Sequence, residues 1–429
     1  MTAQVMVMNS SGIAIASDSA VTGMMSGQPK IFTSADKLFA LSNKAPIGIL
    51  IYNSASITGV PWETVIKVYR SELGDTSFGT VVEYGENFLE WLNNRRSEMF
   101  PDDVQDSYAD GQITSYFNTL IKDVDEAITE KVAAGIANVD ETIICAEAIE
   151  LHQNLWSSAD RLAGVGPAFE KRFAKKYEKT IQTNVERLVV DFNISQASQI
   201  AIAETCVLAT TRIVTNFDTL SLSGFAIAGF GDDELFPGYI AYQTLGVALN
   251  NLLVREDEKV VGAHGNGAII RGFAQQDMVY EFMTGVSPIY QAGETTYINS
   301  AFEELTARLA KELAQGDSSL QTQLASFITA EANAVQKSLG DRLESLKDSY
   351  FSAPILEVVG MLPKDELARM AEALVNLTSF RRKISRDGET VGGPIDVVLI
   401  SKGDGLIWIK RKHYFDPELN PRYFNLRYN

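Results

Sequence analysis

The stretch "TAQVMVMNSSGIAIASDSAVT", residues 2–22, holds two short apolar runs around a polar turn. Thr2–Met8 and Gly12–Ser17 flank Asn9-Ser10-Ser11-Gly12, the composition of a β-hairpin. A turn centred on Ser10 and Ser11 sets Thr2 opposite Ser19 and makes Asp18 its diagonal neighbour, close enough for polar side chains on a twisted ribbon to interact. A threonine behind the initiator methionine is small enough for Met1 to be removed, which leaves a free amine and a hydroxyl on one residue. Such an amine titrates near about 7.7–8.0 and can serve as general base for its own Oγ.

Working outward, "KIF" (30–32) and "LFALS" (38–42) read as strands separated by a turn at Thr33–Lys37, and Asn43-Lys44-Ala45-Pro46 leads into the apolar strand "IGILIY" (47–52). Lys30 heads its strand, where the meander can bring it beside Thr2 and Asp18, whereas Lys37 reads as a turn residue. Trp62, Val65, Ile66, Tyr69 and Leu73 then recur at helical spacing, with Pro61 near the start. From 76 to 219 the pattern is mostly helical, with segments expected around 86–97, 113–136, 167–190 and 195–217. Strand character returns at Ser223–Phe230, at "GYIAYQTLG" (238–246) and at "GAIIRGF" (267–273). A second helical block spans about 297–350. Leu367, Met370, Ala371, Leu374, Val375 and Thr378 mark a last helix that starts near Pro363, and "PIDVVLI" and "LIWIK" form a closing hairpin around Lys402–Gly405. This order fits two β-sheets with helices outside them better than a doubly wound parallel sheet. The 429 residues are too many for one bare core. They read as one domain, 1–429, with helical insertions at 76–219 and 291–361.

Composition narrows the function. The chain is 45% hydrophobic and 21% charged, as in a soluble globular protein, with no apolar run near the roughly 20 residues of a membrane helix and no secretory start. A cytoplasmic protein is expected. Two cysteines, Cys145 and Cys206, are too few for a disulfide framework. His152, His264 and His413 lack metal-ligand spacing, so neither a metal nor a cofactor is expected. A net charge of −18 opposes broad nucleic-acid binding. Locally, "LAGVGPAFEKRF" (162–173) resembles the turn of helix-hairpin-helix motifs and is followed by Lys175, Lys176 and Lys179. The plain reading of Lys171, Arg172 and these lysines is a solvated helix face.

The opening stretch, with Thr2, Ala16, Asp18 and Thr22, resembles the start of the proteasome β-subunit-like family of N-terminal-nucleophile (Ntn) hydrolases and its simpler bacterial members. "IGILIYNSASITGVPWETVIKVYRSEL" and "FAIAGFGDDELFPGYIAY" resemble that family's next strand, helix and hairpin. "RDGETVGGPIDVVLISKGDGLIWI" resembles its RD-x-x-SGG loop and closing strands. The matched blocks cover residues 1–75, 220–290 and 362–429, about half the chain.

The resemblance implies an αββα four-layer sandwich, two antiparallel sheets between helical layers, with helical insertions. It implies Thr2 as nucleophile of a threonine peptidase, Lys30 and Asp18 as its supporting pair, and Asp387 as the loop aspartate, with Gly392 and Gly393 as the diglycine. Three positions depart from the family pattern. Asn53 stands for the oxyanion-side glycine, Phe273 with Gln275 and Gln276 beside it for one serine, and Val391 preceded by Thr390 for the other. Peptides or unfolded proteins are the implied substrates, a ring or stacked homo-oligomer the implied assembly, and an ATP-dependent unfoldase the implied partner. A catalytically inactive scaffold or regulatory subunit, and an Ntn amidase for a small molecule, are the alternatives.

Overall fold

The opening hairpin forms as its turn residues dictate. Strands β1 (Ala3–Asn9) and β2 (Gly12–Ser17) pair antiparallel, with Gln4 opposite Ser17 and Asn9 opposite Gly12, the register expected from a turn at Ser10 and Ser11. Asn9 fixes the turn: its Oδ1 accepts from the Ser11 N–H at 2.9 Å, and its Nδ2 donates to the carbonyls of Val359 and Leu362, each at 2.9 Å. The computed structural model describes residues 3–25, 28–136, 138–214, 222–262, 267–314, 318–385, 392–413, 415–416 and 418–422.

A two-stranded ribbon of β3 (Val21–Met25) and β4 (Gln28–Phe32) follows, then β5 (Leu38–Ala40), β6 (Ile47–Tyr52) and the short pair β7 (Ser56–Ile57) and β8 (Val60–Pro61). The helices α1 (Trp62–Leu73), α2 (Val81–Asn94), α3 (Arg96–Met99), α4 (Asp102–Ala133), α5 (Glu141–Ser158), α6 (Pro167–Lys176), α7 (Glu178–Phe192) and α8 (Gln196–Thr211) come next. Strands β9 (Ser223–Gly229), β10 (Gly238–Ala248), β11 (Asn251–Val260) and β12 (Ile269–Ala274) precede α9 (Asp277–Thr284), α10 (Pro288–Ala314) and α11 (Ser318–Lys347). A π-helical turn at Asp348–Ser352 leads to α12 (Ala353–Met361) and α13 (Lys364–Ile384), and β13 (Asp396–Ser401) and β14 (Gly405–Lys410) form the last strands. The protein is thus mixed α+β with antiparallel pairing, as expected. Among the described residues no helix is long and apolar enough to cross a membrane.

The chain divides into two compact units. One comprises Met1–Ser34, Ala263–Leu399 and Ile407–Asn429; the other comprises Ala35–Gly262 and Ile400–Leu406. In the first, the sheet is ordered β12-β1-β2-β13-β14. One face packs on α13, with Val5, Val7, Ala14 and Ala16 against Leu367, Ala371, Leu374 and Val375. Alternation turns Met6, Met8, Ile13 and Ile15 to the opposite face, where they too are fully buried. Burial on both faces explains why the sequence of these strands shows no polar side. The same unit carries α10 and α11, which pack along each other as an antiparallel arm. Its base is held by the Tyr280 hydroxyl, which donates to Gln291 Oε1 at 2.6 Å, and by the Ser352 hydroxyl, which donates to the Met283 carbonyl at 2.9 Å.

In the second unit the sheet is ordered β11-β10-β9-β6-β5, and α1 and α2 pack on it. Trp62 and Phe88 each stand 5.3 Å from Phe225 between ring centroids. Gly85 lets α2 approach β10, because a Cβ there would lie 2.8 Å from Ile240 Cγ2. On the other face Leu50, Ala226 and Ala228 are again fully buried. The hairpin end at Ile400–Leu406 belongs to this unit, and the Lys402 ammonium donates to the carbonyls of Gly231 at 2.6 Å and Asp232 at 2.9 Å.

Helices α4–α8 share a core that includes Phe117, Leu120, Trp156, Phe173, Leu188 and Cys206, and Leu245, Ala248 and Leu253 of β10 and β11 join it. Arg212 staples it. Its Nη1 donates to the carbonyls of Trp156, Ser157 and Ala159, at 3.2, 3.2 and 2.9 Å, and its Nη2 to Glu170 Oε1 at 3.0 Å. Burial pushes the Cys145 thiol up to about 11 and the Cys206 thiol up as well.

The region 76–219 is therefore shared between two cores, since Tyr84, Phe88 and Leu92 of α2 pack with Trp62 rather than with α4–α8. Helix α5 and strand β11 were not anticipated. The helix expected over 167–190 breaks at Tyr177 into α6 and α7, and the last part of the segment expected at 195–217 lies outside the described residues.

Candidate active site

Antiparallel pairing of β1 and β2 carries Asp18 alongside Ala3. The Asp18 N–H donates to the Ala3 carbonyl at 3.0 Å, and its Oδ1 accepts from the Ala3 N–H at 3.1 Å. The other carboxylate oxygen, Oδ2, accepts from the Ala20 N–H at 3.3 Å and the Gly392 N–H at 3.1 Å. Asp18 is 1% exposed, so three backbone amides compensate a buried carboxylate, as burial of a charge requires. The residues around it continue the pattern. The Ser19 N–H donates to the Gly392 carbonyl at 3.3 Å and the Ser19 hydroxyl to the Pro394 carbonyl at 2.5 Å. Gln4 Nε2 donates to the Ser17 hydroxyl at 3.0 Å.

The diglycine brings a second segment to this point. Gly393 has φ +80°, and a Cβ there would lie 2.8 Å from Thr33 Cβ and 3.0 Å from the Thr33 carbonyl oxygen. Only glycine meets both demands. Thus Gly392 meets Asp18 and Gly393 meets Thr33. Thr2, Asp387 and Thr390 lie outside the described residues.

Strand β12 lies along β1, with Phe273 opposite Gln4 and Ala274 opposite Ala3. Ala274 takes φ +62°, unusual for an alanine, at the point where the chain leaves the sheet. Gln275 follows and is buried, as is Phe273.

The two lysines differ from expectation. Lys30 faces Gly23 across the β3–β4 ribbon, is exposed, and rests its ammonium 5.4 Å from the Phe32 ring centroid rather than on Asp18. Among the described residues β3 and β4 pair only with each other. Lys37, read as a solvated turn residue, is 3% exposed. Its carbonyl accepts from the Ile51 N–H at 2.9 Å, which ties it to the β5–β6 ladder. A buried ammonium must be compensated, and Lys37 does not lack a partner.

Asn53, at the end of β6, adopts φ +65°. This left-handed conformation is the one glycine takes freely and asparagine tolerates best among other residues, so Asn53 fits a position where a glycine is expected.

No protein-family model and no curated protein matches the chain.

Elsewhere, α4 and α5 bring together a cluster that the sequence did not suggest. His152 Nε2 lies 3.0 Å from Asp123 Oδ2 and its Nδ1 3.2 Å from the Tyr116 hydroxyl. A carboxylate only accepts, so the proton sits on Nε2 and the tyrosine donates to Nδ1. Burial lowers the imidazole pKa, and Asp123 partly offsets this. On α6 the basic face is partly consumed within the protein. Lys176 pairs with Asp106 at 2.5 Å, and Arg172 lies on Phe169, 5.9 Å from the ring centroid.

Proposed function

We propose that the chain is an Ntn hydrolase of the αββα type and a threonine peptidase, with Thr2 as nucleophile after loss of Met1. The observation that carries this is the anchoring of the buried Asp18 carboxylate on the Ala3 N–H. The Ala3 N–H that Asp18 accepts belongs to the peptide bond joining Ala3 to the residue before it. Two sheets buried on both faces support the four-layer reading, and the left-handed Asn53 supports its role on the oxyanion side.

In this mechanism the Thr2 amine takes the Oγ proton as Oγ adds to the scissile carbonyl. The proton passes to the leaving amine, and water then releases the acyl group and restores the hydroxyl. A lysine that holds down the pKa values of amine and hydroxyl must itself be shielded from water, because a solvated ammonium exerts little effect. Lys30, the lysine that the resemblance implies, is exposed whereas Lys37 is buried, so both lysines are put to the test.

The test is intact mass together with labelling by an electrophilic peptide epoxyketone. Active protein is expected to lack one methionine and Thr2→Ala to fold but lose turnover and labelling, and whichever of Lys30→Ala and Lys37→Ala loses both marks the supporting lysine. Fully retained Met1 on active protein overturns the assignment. The second reading, an inactive scaffold, is favoured by Phe273, which is buried and without a hydroxyl where the family has a serine. Absence of labelling in protein that has lost Met1 would select it.

A further inference from the structure

Helices α6, α7 and α8 enclose an open groove of about 680 Å³, within the roughly 300–1,000 Å³ of small-molecule sites. Its floor is apolar, made by Ala174, Ile181, Val207 and Leu208, and Ile181 and Val207 are buried. Its rim is charged. Lys171, Lys175, Glu178 and Glu204 line it, all four exposed, and among the described residues none of them forms an ion pair. Lys176 and Arg172, by contrast, are engaged with Asp106 and Phe169.

The signs are sorted along the groove. Arg212, the residue after α8, holds Glu170 at 3.0 Å, so the C-terminal end of α8 meets the N-terminal half of α6. Glu170 also holds Arg161 at 3.3 Å, and with Lys171 beside it this end carries three cations against one carboxylate. Glu204 precedes Arg212 by about two turns on α8, and Glu178 follows the C-terminus of α6 at the start of α7. Both carboxylates therefore fall toward the other end, where they outnumber Lys175.

We propose that this groove binds short peptides with both ends free, the carboxylate at Lys171, the amine between Glu178 and Glu204, and an apolar side chain on the floor. Charge complementarity selects that class. A fatty acid leaves the two glutamates unmatched and an apolar amine leaves Lys171 unmatched, whereas a peptide carries both charges and the apolar group in one molecule. The span sets its length. From Lys171 to Glu178 the helix rises about 10 Å at about 1.5 Å per residue, and an extended chain covers about 3.3–3.6 Å per residue, so a tripeptide fits. The inference involves no residue of the Asp18 site and does not rest on the peptidase reading.

Calorimetric titration of the full chain with the tripeptide Ala-Leu-Ala is expected to show saturable binding at millimolar peptide, and Gly-Gly-Gly, which offers the floor nothing, to show none. Amidating the carboxylate or acetylating the amine is expected to weaken binding about threefold each, as loss of an exposed ion pair does. Lys171→Ala should cause the same loss with Ala-Leu-Ala and none with its amide, and Glu204→Gln the same loss and none with the acetylated peptide. This pairing of losses separates the groove from the Thr2 site, where binding would ignore both variants. Both substituted side chains are exposed, and the blocked peptides test the proposal without any variant. Ala-Leu-Ala that fails to bind, Gly-Gly-Gly that binds as tightly, or binding indifferent to the end groups or to Lys171 and Glu204 overturns it.

Discussion

Asp18 receives three backbone N–H groups on two oxygens, and that arrangement decides what its replacement does. Asparagine has one acceptor oxygen, and its amide would point N–H at N–H. Asp18→Asn is expected to lower unfolding free energy in urea by about 1.5–3 kcal/mol, the usual range for hydrogen bonds to a charged group, and to abolish epoxyketone labelling. An unchanged urea midpoint would show that the carboxylate does not clamp Ala3 and Gly392. The placement of Asp18 was legible because a two-serine turn leaves one sensible register for the strands around it. The lysine was not. Lys30-Ile31-Phe32 and Lys37-Leu38-Phe39 are nearly the same tripeptide, and what separates them is that, among the described residues, β4 pairs only with β3 whereas β5 joins a five-stranded sheet. Partner choice of that kind is long-range and leaves no mark on the tripeptide.

At the scale of elements, the legible pieces were those with one clean face. Helix α1 buries Trp62, Val65, Ile66, Tyr69 and Leu73, the five positions its spacing marked. Helix α5 escaped because its apolar residues lie on several sides: Ile144 and Ile149 are buried while Ile143 and Leu151 are exposed. Its start was nonetheless written in Asp140, whose carboxylate accepts from the N–H groups of Thr142 and Ile143. The contact of α5 with α4 carries a pH dependence. Burial holds the folded His152 pKa below its ordinary 6.5, so in acid the unfolded chain binds the proton more tightly than the folded one. Stability is then undiminished above pH 6.5, falls as the pH drops below it, and levels off once the folded imidazole is also protonated. Thermal melting across that range should show this fall, and His152→Gln should flatten it. A melting temperature that rises on acidification through this window would contradict the assignment.

At the scale of the whole molecule, the order of strands and helices gave α+β, whereas the partition did not follow from it. Residues 400–406 join the unit of β5, β6 and β9–β11 although their flanking strands belong with β1 and β2, and no local feature of Lys402-Gly403-Asp404-Gly405 announces this. The α4–α8 core has a consequence for how its motion can be timed. Cys145 and Cys206 are its two thiols, on different helices, both shut away and both disfavoured as thiolates. A disulfide reagent such as Ellman's can reach them only in molecules whose bundle has come apart, so the yellow colour released under native conditions is a stopwatch on that opening. Raising the reagent concentration should speed the colour only until opening itself becomes the slow step. From there the rate should plateau, and a single shared plateau for both thiols would mean that the five helices open as one unit, two plateaus that α5 and α8 come away separately.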